Sequence, residues 1–190
     1  MARPRILLLL IIFAIPAVAF CQSRHKDDDN SLKGVPLKER IVLGGGLGLQ
    51  FGSQLDVVSL SPMIGYKLTE KLLAGSSVTY RYTKYKYFNP SIKLTDYGVS
   101  PFLRYSIFNG FFLQAEYEYL NYEFPESATT TMRKGFNSVL AGGGFVQPIG
   151  GKAAFYVLAL YNFSYQSVNP GEYSPYPNPL ILRGGITFGF

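Results

Sequence analysis

The chain has 190 residues and a formal net charge of +6, with 18 basic side chains against 12 acidic, 20 glycines, no tryptophan and a single cysteine. The basic excess is modest and scattered, which argues against nucleic acid or a polyanion as partner. Cys21 alone can form no intrachain disulfide, zinc framework or cysteine redox pair. Fifteen tyrosines and fifteen phenylalanines, with abundant glycine and few helix-favouring runs, point to an all-β protein.

Residues 1–21 read as a secretory signal peptide. Arg3 and Arg5 precede an apolar run over 6–15, and the small residues Ala17 and Ala19 follow. The run is shorter than the ~20 residues of a transmembrane helix. Cleavage fits after Ala19 or after Cys21, and a lipid-modified Cys21 is a third possibility that the bulky Phe20 disfavours. Residues 22–38 are polar and without period, a flexible periplasmic leader in this reading. Asp27, Asp28 and Asp29 form a solvated run, because a calcium loop needs spaced ligands and a glycine turn.

From residue 39 to 190 the sequence divides into eight alternating segments, predicted as strands over 39–52, 57–68, 72–87, 94–107, 111–124, 135–147, 153–166 and 180–190. No helix is expected. These segments exceed the about five or six residues usual in soluble sheets and suit the nine to eleven of a tilted membrane strand. Tight connections at Thr69 and Glu70, at Asn109 and Gly110, and at Ile149 to Gly151 alternate with longer ones over 88–93, 125–134 and 167–179. The Asn109-Gly110 pair is a strong type I′ hairpin signal. The connection over 53–56 is short and is the one departure from the alternation.

Within the strands one face is apolar and the other carries glycine, hydroxyls and charge. Leu43, Leu47 and Leu49 oppose Gly44, Gly46 and Gly48; Val99, Leu103 and Tyr105 oppose Ser100, Arg104 and Asp96; Leu113, Tyr117 and Tyr119 oppose Gln114, Glu116 and Glu118. In the last strand Leu182, Ile186 and Phe188 oppose Arg183 and Thr187. A charge facing a bilayer midplane costs ~2 to 4 kcal/mol, so the charged face must point inward. Arg81, Asp96, Arg104, Glu116, Glu118 and Arg183 are the expected lumen charge network. The sixth and seventh strands are ambiguous, because both faces are apolar or glycine.

Aromatics gather at strand ends. Tyr80, Tyr82, Tyr85 and Tyr87, then Tyr117, Tyr119, Tyr122 and Phe124, then Tyr161, Phe163 and Tyr165 belong to one rim; Tyr66, Tyr105, Phe108, Phe111, Phe188 and Phe190 belong to the other. Two such bands match the two interfaces of a bilayer. Tyr80, Tyr82, Tyr117, Tyr119, Tyr161 and Phe163 are the expected girdle.

The export signal, eight amphipathic strands, aromatic rims and terminal Ile186, Phe188 and Phe190 together resemble the small eight-stranded outer-membrane barrels of Gram-negative bacteria, of the OmpX and OmpA transmembrane type. The resemblance is architectural and covers 39–190. It implies a transmembrane, antiparallel, up-and-down β-barrel in the outer membrane, in contact with outer-membrane lipid and lipopolysaccharide. It also implies a terminal strand, with Ile186, Phe188 and Phe190 as assembly signal, read by the barrel-assembly machinery.

For function, the sequence favours a structural, adhesive or surface-interaction role through the outer loops, in a monomer with its lumen filled by charges. No metal, cofactor or catalytic residue is expected. The only histidine is His25 in the leader, which removes histidine acid–base catalysis from the barrel. A narrow porin-like channel or carrier for small or apolar solutes is the alternative. A secreted lipocalin-like ligand-binding barrel is the second, although it should carry the inverse pattern, apolar inside and polar outside.

Overall fold

Strict alternation leaves each strand with one face that avoids water and one that seeks it, and rolling the sheet into a tube separates the two while pairing every edge. The computed structural model describes residues 32–51, 53, 55–86, 91–126, 130–166, 174–176 and 178–189. Its strands are β1 (Ile41–Phe51), β2 (Leu55–Lys67), β3 (Leu72–Tyr85), β4 (Ile92–Phe108), β5 (Phe111–Pro125), β6 (Thr131–Gly150), β7 (Ala153–Asn162) and β8 (Leu180–Phe188). They form a closed, antiparallel, up-and-down barrel in sequence order, with β8 returning to β1. The only helical residues described are a 3-10 turn over Leu37–Arg40. The Arg40 guanidinium donates to the carbonyls of Leu32 and Val35 and holds the approach to β1.

The predicted hairpin at Asn109-Gly110 is present, with φ of 45° and 84° at the two residues. Thr69 closes its own turn by accepting from the Leu72 N–H at 2.9 Å. Most strand ends shift by one or two residues from expectation, and two strands differ by more. β6 is longer, because residues 131–134 pair with the end of β5 and 148–150 with the start of β7. β7 is shorter, because the Asn162 side chain accepts from the Ser164 N–H and turns the chain out of the ladder.

The register settles the ambiguous strands. Ser138, Leu140, Gly142 and Gly144 of β6, and Ala154, Tyr156, Leu158, Leu160 and Asn162 of β7, share the inward face with Glu116, Glu118 and Arg183. It also corrects the aromatic rim. Tyr122 and Tyr85 fall on the inward face, where their hydroxyls interact and Arg81 lies 5.9 Å from the Tyr122 ring. Two tyrosines an odd number of residues from the girdle positions must point the other way.

Inside, the wall is uneven. β1 to β3 contribute Gly44, Gly46, Gly48, Ser59, Ser61, Gly75 and Ser77, whereas β4, β5 and β7 contribute Phe102, Arg104, Phe112, Tyr156 and Leu158. Large side chains from one half reach over small ones of the other. A Cβ at Gly75 would stand 2.5 Å from the Ile64 carbonyl oxygen and 2.6 Å from the Phe102 ring. We predict that Gly75→Val destabilises the barrel by roughly 1 to 3 kcal/mol through overpacking, read as a lower urea midpoint in micelles; an unchanged midpoint would show that both the β2 backbone and Phe102 give way freely.

Candidate functional site: the barrel interior

The six charges expected in the lumen all lie on inward positions, but their partners differ from a single shared network. Arg183 of β8 reaches across to β5, where Nη1 donates to Glu116 at 2.5 Å and Nη2 donates to Glu118 at 2.7 Å. Both carboxylates are buried, at 4% and 2% exposure. Nearer the rim of the longer connections, Arg81 donates to Asp96 at 2.8 Å, and the other Asp96 oxygen accepts from the Glu123 N–H.

Among the described residues, no carboxylate pairs with Arg104. Its Nε donates to Gln114 at 2.9 Å, and Gln114 donates in turn to Glu116 at 2.9 Å, so an amide relays the charge. The guanidinium carbon sits 4.2 Å from the Phe112 ring centre and 5.4 and 5.5 Å from those of Tyr156 and Phe102. Aromatic faces supply part of the compensation that an ion pair would give. Nη1 of Arg104 is buried without a partner.

This half of the lumen is closed by side chains. Val42, Met63, Leu73 and Phe102 make one apolar cluster, and Phe112, Leu140, Tyr156, Leu158 and Leu160 make another. The other half retains a cavity of about 260 Å³, bordered by Ser59, Ser61, Thr79, Arg81, Glu118 and Arg183 among others. Tyr176, from the long connection between β7 and β8, also borders it and donates its hydroxyl to Glu118. Burial and the adjoining carboxylate hold the Tyr176 phenol well above the ordinary tyrosine value, so it remains a donor.

Gln114 is inward by sequence parity, whereas its relay role is visible only in the structure, and Tyr156 is legible as inward only from register. Tyr176 stands out in the sequence as an aromatic of the proline-rich connection over 167–179, but nothing there marks its reach to Glu118, 58 residues away. On the outside, Tyr80, Tyr82, Tyr117, Tyr119 and Tyr161 fall on the outward parity, and Phe163 beyond β7 is 67% exposed. Above them Arg133 bonds Glu123 at 2.8 Å and lies over the Tyr97 ring. Ile186 and Phe188 are outward and exposed, whereas Phe190, Tyr87 and His25 lie outside the described residues. Among the described residues no cluster of three or more His, Cys, Asp or Glu side chains could hold a metal ion.

No protein-family model matches the chain, and neither a curated protein nor a solved structure matches it.

Removing Arg183 leaves two buried carboxylates without their cation, whereas removing Arg104 strands only an amide. We predict that Arg183→Met destabilises by roughly 3 to 5 kcal/mol, as for a broken buried pair, and Arg104→Met by clearly less. Equal losses in urea unfolding would mean that Arg104, too, is a required counter-ion.

Proposed function

We propose that the protein is an integral outer-membrane barrel of the OmpX and OmpA type, with a filled lumen and a structural or surface-interaction role. The observation that carries this reading is the inverted polarity of the wall. Leu43, Leu47, Leu60, Ile64, Val78, Leu103, Leu113, Val139, Val157 and Leu182 stand outward and 46 to 75% exposed, while Asp96, Arg104, Glu116 and Glu118 are within 4% of full burial. An apolar surface continuing around a whole barrel has no stable place in water, but lipid is its natural solvent.

The strand arrangement supports the same reading. Three tight turns and the start of β1 share one rim, and the three longer connections share the other together with the short link between β1 and β2, broadly as in barrels whose turns face the periplasm and whose loops face outward. Outward Tyr105, Phe108, Phe111 and Phe188 ring the first rim, and Tyr80, Tyr97, Tyr117, Tyr119 and Tyr161 ring the second. Lipid and lipopolysaccharide are then the immediate surroundings, and the barrel-assembly machinery is the route of insertion. The role is non-catalytic, because Arg183 holds both Glu116 and Glu118 and leaves neither as a free base. The apolar plug on the tight-turn side favours a scaffold over a channel.

Two measurements test this. Cell fractionation should recover the chain in the outer membrane, extractable only with detergent and with heat-modifiable gel mobility; recovery as a soluble periplasmic protein would favour the lipocalin-like alternative. In planar bilayers the folded protein should give no conductance steps, and reproducible unitary steps would replace the scaffold with the narrow channel.

A further inference from the structure

The seams between strands are not equal. β1 pairs with β2 at each of its residues from Ile41 to Phe51, and β7 pairs with β8 from Ala153 to Tyr161. β1 and β8, by contrast, share only Leu43↔Phe188, Gly44↔Thr187 and Gly45↔Ile186. Beyond Gly45 toward the loop rim no further β1–β8 pair forms among the described residues, although a Cβ at Gly46 would still lie 2.8 Å from the Gly184 carbonyl oxygen; the strands part beyond that point. Gly46, Gly48, Gly184 and Gly185 occupy this stretch, and glycine weakens a ladder and brings no side chain to cover it. In hydrocarbon, such unpaired N–H and C=O groups need other partners.

What lies on either side of this seam differs in character. Within, the 260 Å³ cavity is bordered by Gly46, Leu47 and Gly48 of β1 and by Leu182, Arg183 and Gly184 of β8, together with the hydroxyl side chains of Ser59, Ser61, Thr79 and Tyr176. Without, an apolar groove of about 770 Å³ runs toward the tight-turn rim over Gly45 and Gly184, flanked by Leu43, Leu60, Phe155 and Ile186. The two hollows share Gly46, Leu47 and Gly184 as common wall. A polar hollow and an apolar one thus meet at the seam with the fewest paired residues among those described.

We propose that the β1–β8 seam is a binding site for a single-chain amphiphile, with a small, uncharged, hydroxyl-bearing head in the cavity and its acyl chain in the outer groove. The head is uncharged because the cavity's cations are already engaged: Arg81 by Asp96, and Arg183 by Glu116 and Glu118. A further charge there would lack a counter-ion. Hydroxyls are the chemistry that Ser59, Ser61, Thr79 and the seam backbone can both donate to and accept from. The direction fits as well, with the head toward the loop rim and the chain toward the bilayer centre, the posture of an amphiphile in the loop-side leaflet. The site rests on the membrane reading above, since the outer groove is a chain site only where the wall meets lipid.

The full chain, with Cys21→Ser, is folded in a polyoxyethylene detergent and mixed with 1-monooleoylglycerol, and adducts are counted by native mass spectrometry. One adduct per barrel is expected, at least tenfold more occupied than with oleate at equal concentration, and none with glycerol alone. Leu49→Cys with Leu182→Cys, positions that face each other if the β1–β8 register continues, should lower occupancy at least tenfold when oxidised and regain it on reduction. Gly184→Leu provides an independent variant: its Cβ meets Tyr156 O at 3.4 Å and the Phe155 ring at 3.8 Å, ordinary contacts, so the side chain fills the groove while the barrel folds. Retained binding in Gly184→Leu, or oleate bound as well as the glyceride, overturns the proposal. Heat-modifiable mobility, recorded on the same samples, separates that result from failure of the membrane reading, in which no variant would shift.

Discussion

The Arg183 guanidinium between Glu116 and Glu118 is the constraint around which the interior is organised. It spans the lumen from β8 to β5, and its two bonds are directional, so they fix which faces of those strands look inward. With a period of two, fixing one residue fixes the whole strand, and a slip by one would turn the charges out and the leucines in. The aromatic packing around Arg104 follows from the same choice, since Gln114 can relay toward Glu116 only when both share that face. A buried ion group of this kind specifies an arrangement more than it stabilises one.

The interior divides along its axis. Toward the tight turns, apolar rings close over Arg104 and leave little space; toward the loops, hydroxyls, two arginines and Tyr176 surround a small hollow. Both halves follow from the uneven wall, in which glycine and serine on β1 to β3 leave room that Phe102, Phe112 and Tyr156 fill at one level only. The barrel is thereby rigid at one end and accommodating at the other.

Much of this architecture was legible in the residues. β1, β2, β4, β5 and β8 announce their orientation because a charge or a run of glycines on one face opposes leucine or tyrosine on the other. β6 and β7 do not, since Gly142, Gly143 and Gly144 carry no polarity and Ala154, Tyr156 and Leu158 resemble their outward neighbours; only pairing with β5 and β8 decides them. The rim aromatics were over-counted where a cluster spanned both parities, as Tyr122 illustrates. Charge partners were harder still. Parity brings Arg104 and Arg183 to the same lumen, but the level of each depends on strand stagger, and stagger places Gln114 rather than a carboxylate opposite Arg104. The reach of Tyr176 into the barrel depends on the course of a long connection, for which no period exists.

The length of β6 has a consequence of another kind. Its last ladder partner on β7 is Leu140; Val139 still bonds to Phe163 and Ser164, and residues 131–138 rise past the end of β7, paired with β5. An open strand edge is a template for pairing with whatever chain drifts near, and crowded barrels present many such edges to one another. Here the ribbon carries Arg133 and Lys134 on opposite faces, both exposed, with Arg133 turned back to bond Glu123 of β5. A lysine on a projecting strand is a common guard against pairing with a second copy of the same ribbon. The guard is electrostatic and therefore screened by salt, so pairing between copies becomes easier as ionic strength rises.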